Sequence, residues 1–435
     1  MKKHIHSRLQ ILTLCLLLLI NTVLSAACNA SGTGDEETKG PQKVEVKVYI
    51  DGKEHTTLYT DSTQKYLITP PQKPTSPKDE KYFFGWFIDA TYQSPLLSTT
   101  LFKEPGAIYG KWVSGFCDGF KFSVENNVAT ILSYNDLTIT KLNIPATLNG
   151  VPVCTIGGGA FYSYKKLTEL SIAYGIKQIG KKAFGGCTSL ERITIPRSVE
   201  KVEAGAFSGC YNVRYADIPT IAIKEIQTEK LEKLILNSGT SIDSHAFKDS
   251  VCLKELVIAP SVKTIECLSY SKCTALEKIY IDDMAAWCSV SGMGKFEFFR
   301  MGSHLFWSDT EFESENPLSY AHNLYLNEKL VTDLTIPDGV TEINDFVFCD
   351  CTSITSVSFP KGLTTIGAAS FAGCTNLSTL KIPNSVKSIG NVAFNKCKIS
   401  TIYFDGTAAE WVQIEKGAKW ISTSFKVICT DRTLG

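Results

Sequence analysis

The chain has 435 residues, and Lys plus Arg equals Asp plus Glu at 44 each. That balance excludes a nucleic-acid binder driven by overall charge. A hydrophobic content of 44% suits an ordinary folded chain, and the length fits about three compact domains or one extended repeat array.

Residues 1–27 read as a secretory signal peptide. Lys2, Lys3 and Arg8 precede an apolar run from Ile11 to Ile20, and the small residues Ser25-Ala26-Ala27 lead to Cys28. The run is too short for a retained membrane span. The arrangement resembles a bacterial lipoprotein signal, which implies that Cys28 becomes the acylated first residue and anchors the chain to a membrane. Plain cleavage after Ala27 is the alternative. Residues 28–42 are Gly/Ser/Thr-rich, with acidic Asp35-Glu36-Glu37, and read as a flexible tether.

Residues 43–113 form a separate small β-rich module. Val44, Val46 and Val48 alternate as a strand, and Asp51-Gly52 signals a turn. A Pro-rich stretch from Pro70 to Pro77 follows. Gly85-Trp86 and Tyr109-Gly110-Lys111-Trp112 then resemble the internalin-B-type (Listeria–Bacteroides) repeat. That resemblance implies a spacer module of cell-surface proteins. Trp86 and Trp112 are expected to form its small core rather than a sugar platform.

From residue 114 onward the chain is periodic. Phe161, Phe184 and Phe207 are spaced by 23 residues, as are Phe348, Phe371 and Phe394. Within one unit, Leu190-x-x-Ile193-x-Ile195-Pro196 is followed by Val199-x-x-Val202 and Ala206-Phe207. Ile193 and Ile195 point inward, Arg192 and Thr194 outward, and Pro196 ends the strand because it has no N–H to donate. A period in the twenties predicts a leucine-rich-type solenoid, mainly β, wound as a right-handed superhelix. No single unit buries enough to fold alone, so function belongs to a surface shared by many copies.

The first run, with an N-terminal hairpin cap at Phe120–Ser133, occupies residues 114–287. An insertion falls at Asn149-Gly150. The gap between Val213 and Leu231 is only 18 residues, so that unit lacks its Ala-Phe segment. Residues 288–325 are an aromatic-rich excursion containing Phe296, Phe298, Phe299, Phe306 and Trp307, which either packs over the junction or presents a binding surface. The second run occupies residues 326–429. Both runs close on a similar phrase, Ile279-Tyr280-Ile281-Asp282 before Trp287 and Ile402-Tyr403-Phe404-Asp405 before Trp411. Each is expected to be a short helix, begun by a capping Asp, whose Trp covers the end of a stack.

Fifteen cysteines in an exported chain normally suggest disulfides. Here Cys187, Cys210, Cys273, Cys351, Cys374 and Cys397 each lie three residues after the Phe position (Tyr270 before Cys273), which predicts a ladder of buried free thiols. The pair Cys349-Asp350-Cys351 belongs to that pattern rather than to a metal or redox site.

The repeated A-F-x-x-C-x-x-L-x-x-I-x-I-P phrase, with V-x-x-I-G as at Val386–Gly390, resembles BspA-like leucine-rich-repeat surface proteins over residues 117–429. That family implies a cell-surface protein that adheres to host matrix, host cells or other microbes. Outward strand residues are the candidate contacts. In the first run, Tyr215, Lys233, Ile235, Glu255, Val257, Lys278 and Tyr280 combine an apolar column with charges, as a partner-binding patch does. The second run is mostly hydroxyl: Thr335, Ser356, Ser358, Thr379, Thr401. The histidines of the mature region, His55, His245, His304 and His322, are scattered, and no HExxH, GxSxG or P-loop motif occurs. The expectation is a non-enzyme without metal or cofactor, with a protein ligand. Glycan capture and an envelope spacer are the alternatives.

Overall fold

A computed structural model describes residues 43–50, 52–61, 81–90, 96, 105–266, 269–301, 304–314 and 316–435. The expected signal peptide and tether, Cys28 and the Pro70–Pro77 stretch lie outside the described residues, as do the side chains of Trp112 and of residues 296–313. The small module is a four-stranded sheet of β1 (Lys43–Ile50), β2 (Lys53–Asp61), β3 (Lys81–Phe87) and β4 (Gly106–Ser114), in the order β2-β1-β4-β3. Val46, Val48 and Ile108 form its fully buried centre, and Trp86 packs against them. With so few apolar residues available, the half-buried indole is core rather than surface.

The repeats build a β-solenoid. Its long strands form one nine-stranded sheet, in chain order: β5 (Lys141–Ile144), β6 (Glu169–Ile172), β7 (Arg192–Thr194), β8 (Tyr215–Pro219), β9 (Lys233–Ser238), β10 (Glu255–Ile258), β11 (Lys278–Ile281), β12 (Leu324–Leu326) and β13 (Lys329–Leu330). A second sheet of six continues the series: β14 (Asp333–Thr335), β15 (Ser356–Ser358), β16 (Thr379–Ile382), β17 (Thr401–Phe404), β18 (Lys426–Ile428) and β19 (Thr433–Leu434). Neighbours are parallel except at two antiparallel hairpins, β12–β13 and β18–β19.

The Ala-Phe turns explain the sequence period. Phe161, Phe184 and Phe207 are buried and stack with centroids 5.1 and 5.2 Å apart, close to the rung spacing of a sheet. Each turn also bonds to the next layer, as Phe161 N–H does to Ala183 O at 2.8 Å and Phe184 N–H to Ala206 O at 2.8 Å. The cysteines close the other direction. Cys187 Sγ donates to Phe161 O at 3.3 Å and Cys374 Sγ to Phe348 O at 3.2 Å. Burial pushes the Cys273 and Cys397 thiols up to about 12, which keeps them protonated donors at neutral pH.

The glycine of the V-x-x-I-G phrase has a steric cause. A Cβ on Gly390 would stand 2.4 Å from Ala368 N, and one on Gly180 2.6 Å from Gly158 N. Adjacent layers touch backbone to backbone there, and only glycine leaves room.

The shortened Val213 unit replaces its missing turn with a 3-10 helix, Thr220–Glu225, whose Ala222 and Ile223 fill the interior. At the excursion the chain forms an antiparallel hairpin of Gly294–Met301 with His304–Ser314, then returns to the core. Asn316 is fully buried there. Its Nδ2 donates to Phe346 O at 2.6 Å and Val347 O at 2.8 Å, and its Oδ1 accepts from Leu318 N–H at 2.9 Å. Asn344 N–H donates to Cys288 O at 2.9 Å. One continuous core therefore runs from Phe120 to Cys429.

Two expectations about the closing phrases change. Trp287, in α1 (Met284–Cys288) with Asp283 as N-cap, is buried inside the array, because β12 and the Asn344 layer stack beyond it. The later helix is capped by Thr407, with Glu410 closing a capping box, rather than by Asp405. Its Trp411 packs against Trp420, and the β18–β19 hairpin ends the stack.

Candidate binding surface

Parallel register aligns the outward residues of the first run into rows. One row carries Lys141, Glu169, Arg192, Tyr215, Lys233, Glu255 and Lys278 across β5–β11. The next carries Asp217, Ile235, Val257, Tyr280 and Tyr325 across β8–β12. All seven predicted contact residues thus lie on one face, in two adjacent rows. Tyr325 belongs with them and was not predicted.

These side chains brace one another. Glu255 receives Lys233 Nζ at 2.8 Å and Lys278 Nζ at 3.1 Å. Hydrogen bonding from Lys233 is the chief reason the Glu255 carboxyl titrates below its ordinary range, and the bond to Glu255 raises both lysines. Arg192 lies over the Tyr215 ring at 4.0 Å and Lys233 over the Tyr280 ring at 5.8 Å. Tyr280 and Tyr325 pack with centroids 4.9 Å apart. Asn237 Nδ2 holds Asp217 Oδ1 at 2.7 Å while also donating to Ile195 O at 2.8 Å. The result is a half-buried apolar strip, Ile235–Val257–Tyr280–Tyr325, beside charges that are already paired.

A cleft of about 480 Å³ opens at the charged edge, between Glu191, Arg192, Arg214, Tyr215, Glu232 and Lys233. Arg214 and Glu232 pair across it at 2.6 Å. No single charge sign dominates, so the face suits a partner with both polar and apolar groups rather than a polyanion.

The second run differs. Asp333, Thr335, Ser358, Thr379, Lys381 and Tyr403 are all exposed, and Tyr403 reaches 44%. Elsewhere, the structure leaves the remaining polar residues apart. His55 lies in β2, His245 on a turn, and His322 in the turn after Leu318–Ala321, with Nδ1 3.0 Å from Asp350 O. Cys349 and Cys351 are unpaired and buried, and burial pushes the Cys351 thiol up to about 11. The other ten cysteines among the described residues are also free thiols.

A scan against protein families matches the BspA type leucine-rich-repeat region, in six copies, over residues 154–277, 226–299 and 319–414. The chain belongs to the BspA-type leucine-rich-repeat family. The matched BspA-type repeats include both rows described above apart from Lys141, and the third match begins at residue 319, just after buried Asn316. No curated protein matches the chain. Solved structures that the chain matches include a leucine-rich-repeat protein from Bacteroides ovatus, at 18% identity, covering 72% of this chain and 99% of that one, with a TM-score of 0.28. T. pallidum TpLRR matches at 19% identity over 60% and 88%, with a TM-score of 0.27. The pneumococcal vaccine antigen PcpA matches at 17% over 72% and 86%, with a TM-score of 0.26.

Proposed function

We propose that this protein is an exported, non-catalytic platform that binds a protein ligand on a host or neighbouring microbial cell through the face of β8–β12. One observation carries the reading: the apolar strip of Ile235, Val257 and Tyr280 lies beside the Lys233–Glu255–Lys278 ion group, whose Lys233 stands over the Tyr280 ring at 5.8 Å. Side chains already fixed lose little rotamer freedom on binding. Tyrosines flanked by paired charges combine apolar contact with polar specificity, as interface anchors do. Membership of a repeat family built for extended surfaces supports the same reading. A lipid on Cys28 would hold the chain at a membrane, with residues 43–113 as a spacer beneath the repeats.

The test is capture by immobilised residues 43–435 of purified matrix proteins, mucins and polysaccharides. At least one protein should be retained, and Tyr280→Ala or Ile235→Lys should weaken that capture at least tenfold while circular dichroism is unchanged. Retention by polysaccharide alone, sensitive to Ser358 or Thr379, would replace this reading with glycan capture. Anchoring is tested separately: labelled palmitate should enter the full chain in cells and be lost in Cys28→Ala.

A further inference from the structure

The first sheet does not run into the second. After β12 the chain folds back as β13, through Asn327 and Glu328, both with positive φ. It reverses again into β14, which pairs with β15 but, among the described residues, has no strand on its other side. A cleft of about 500 Å³ occupies that gap. It is lined by Met284, Leu326, Lys329 and Leu330 on one side and by Asp333, Leu334 and Thr335 on the other. Leu330 is 44% exposed at its mouth.

The pairing of β14 decides which backbone groups face the cleft. Thr332 O accepts from Ser356 N–H at 3.3 Å, and Ile336 N–H donates to Ser358 O at 2.9 Å, so Thr332, Leu334 and Ile336 turn toward β15. In a parallel ladder alternate residues turn the other way. The N–H and C=O groups of Asp333 and Thr335 therefore point into the cleft, and both residues are exposed. Such an edge is a template for another strand. Unlike β5 at the start of the stack, this edge stands inside the array, with apolar Leu326, Met284 and Leu334 ready to receive an inward-pointing side chain.

We propose that the β14 edge binds an extended peptide segment of a partner protein by strand addition, with a rung-like pattern of alternating apolar residues. Only an extended backbone offers donors and acceptors at the spacing of Asp333 and Thr335. An alternating pattern is required because one side of the inserted strand faces the core residues and the other faces solvent. The site borders β12 through Leu326 but uses the backbone edge of β14, which the proposed face of β8–β12 does not, and so is tested independently of it.

The probe is a fluorescein-labelled peptide, SLERITIP, which repeats the chain's own rung at residues 189–196. Anisotropy with the purified chain should show saturable binding, and hydrogen exchange at Asp333 and Thr335 should slow at least fivefold. Thr335→Pro removes an outward N–H without touching the bonds to β15, and should weaken binding at least tenfold. Thr335→Val, which keeps the N–H, should bind as the parent does. Absence of saturable binding, or equal binding by Thr335→Pro, would overturn the proposal. A chain that is already a dimer by light scattering, and becomes monomeric in Thr335→Pro, would overturn it in favour of self-pairing.

Discussion

In the first repeat run the outward residues lean on one another, whereas in the second they stand apart in solvent. Lys233, Glu255, Lys278 and Tyr280 touch across three rungs, and all four are half-buried. Across β14–β17 the corresponding contacts are few, such as Ser356 Oγ to Asp333 Oδ1 at 2.6 Å, and most of the row is exposed. Beneath both faces the interior is the same ladder of stacked Phe rings and buried thiols. The period fixes the interior, because every layer must match its neighbours. The exterior is free to vary, and a dense, preorganised patch has developed on one run only.

That contrast can be broken or sharpened by substitution. The largest effect belongs to the shared interior: Phe184→Ala and Phe371→Ala should each cost about 3–5 kcal/mol, measured by denaturant unfolding. A much smaller loss in one run would mean that the two interiors are not equivalent. Next comes the junction. Asn316→Ala leaves two carbonyls and one N–H without their partner, at about 1–3 kcal/mol for each group that water cannot reach. Thermal unfolding should then separate into two steps, as the second run loses its tie to the first.

Surface changes should follow, and differ by run. Tyr280→Ala should lower stability by about 0.5–1 kcal/mol through lost ring contacts, while exposed Tyr403→Ala should stay within about 0.5 kcal/mol of the parent. The Glu255 group also predicts a pH signature. Its carboxyl titrates below the ordinary value, so its contribution is present above about pH 4.3 and is lost as pH falls through the lowered value. Melting curves from pH 6 to about pH 3 should show the parent losing more stability than Glu255→Gln. One change should be a gain. Lys182 is exposed with φ of 55°, and Lys182→Gly should stabilise by about 0.5–1 kcal/mol.

Much of this architecture was legible because it repeats. The Phe and Cys positions, the outward rows and the missing Ala-Phe turn before Leu231 all follow from counting, since stacked layers force identical spacing. The junction was not legible. The rung at Leu324–Leu326 has three residues and no terminal Pro, since the turn at Asn327-Glu328 ends it instead. Tyr325 was therefore missed, although Leu324-Tyr325-Leu326 alternates as a strand should. Asn316 carries no local signal either, because its partners are backbone carbonyls about 30 residues away. The end-cover role expected for Trp287 failed for the same reason: the continuation of the stack beyond α1 is a tertiary fact.

The most direct test compares equivalent charge insertions on the two faces. Ile235→Lys in the first run and Ser358→Lys in the second should both fold, as shown by unchanged circular dichroism. Capture of the protein ligand, measured by surface plasmon resonance, should fall at least tenfold in Ile235→Lys and stay within twofold of the parent in Ser358→Lys. Equal losses, or a loss confined to Ser358→Lys, would contradict the assignment of binding to the face of β8–β12.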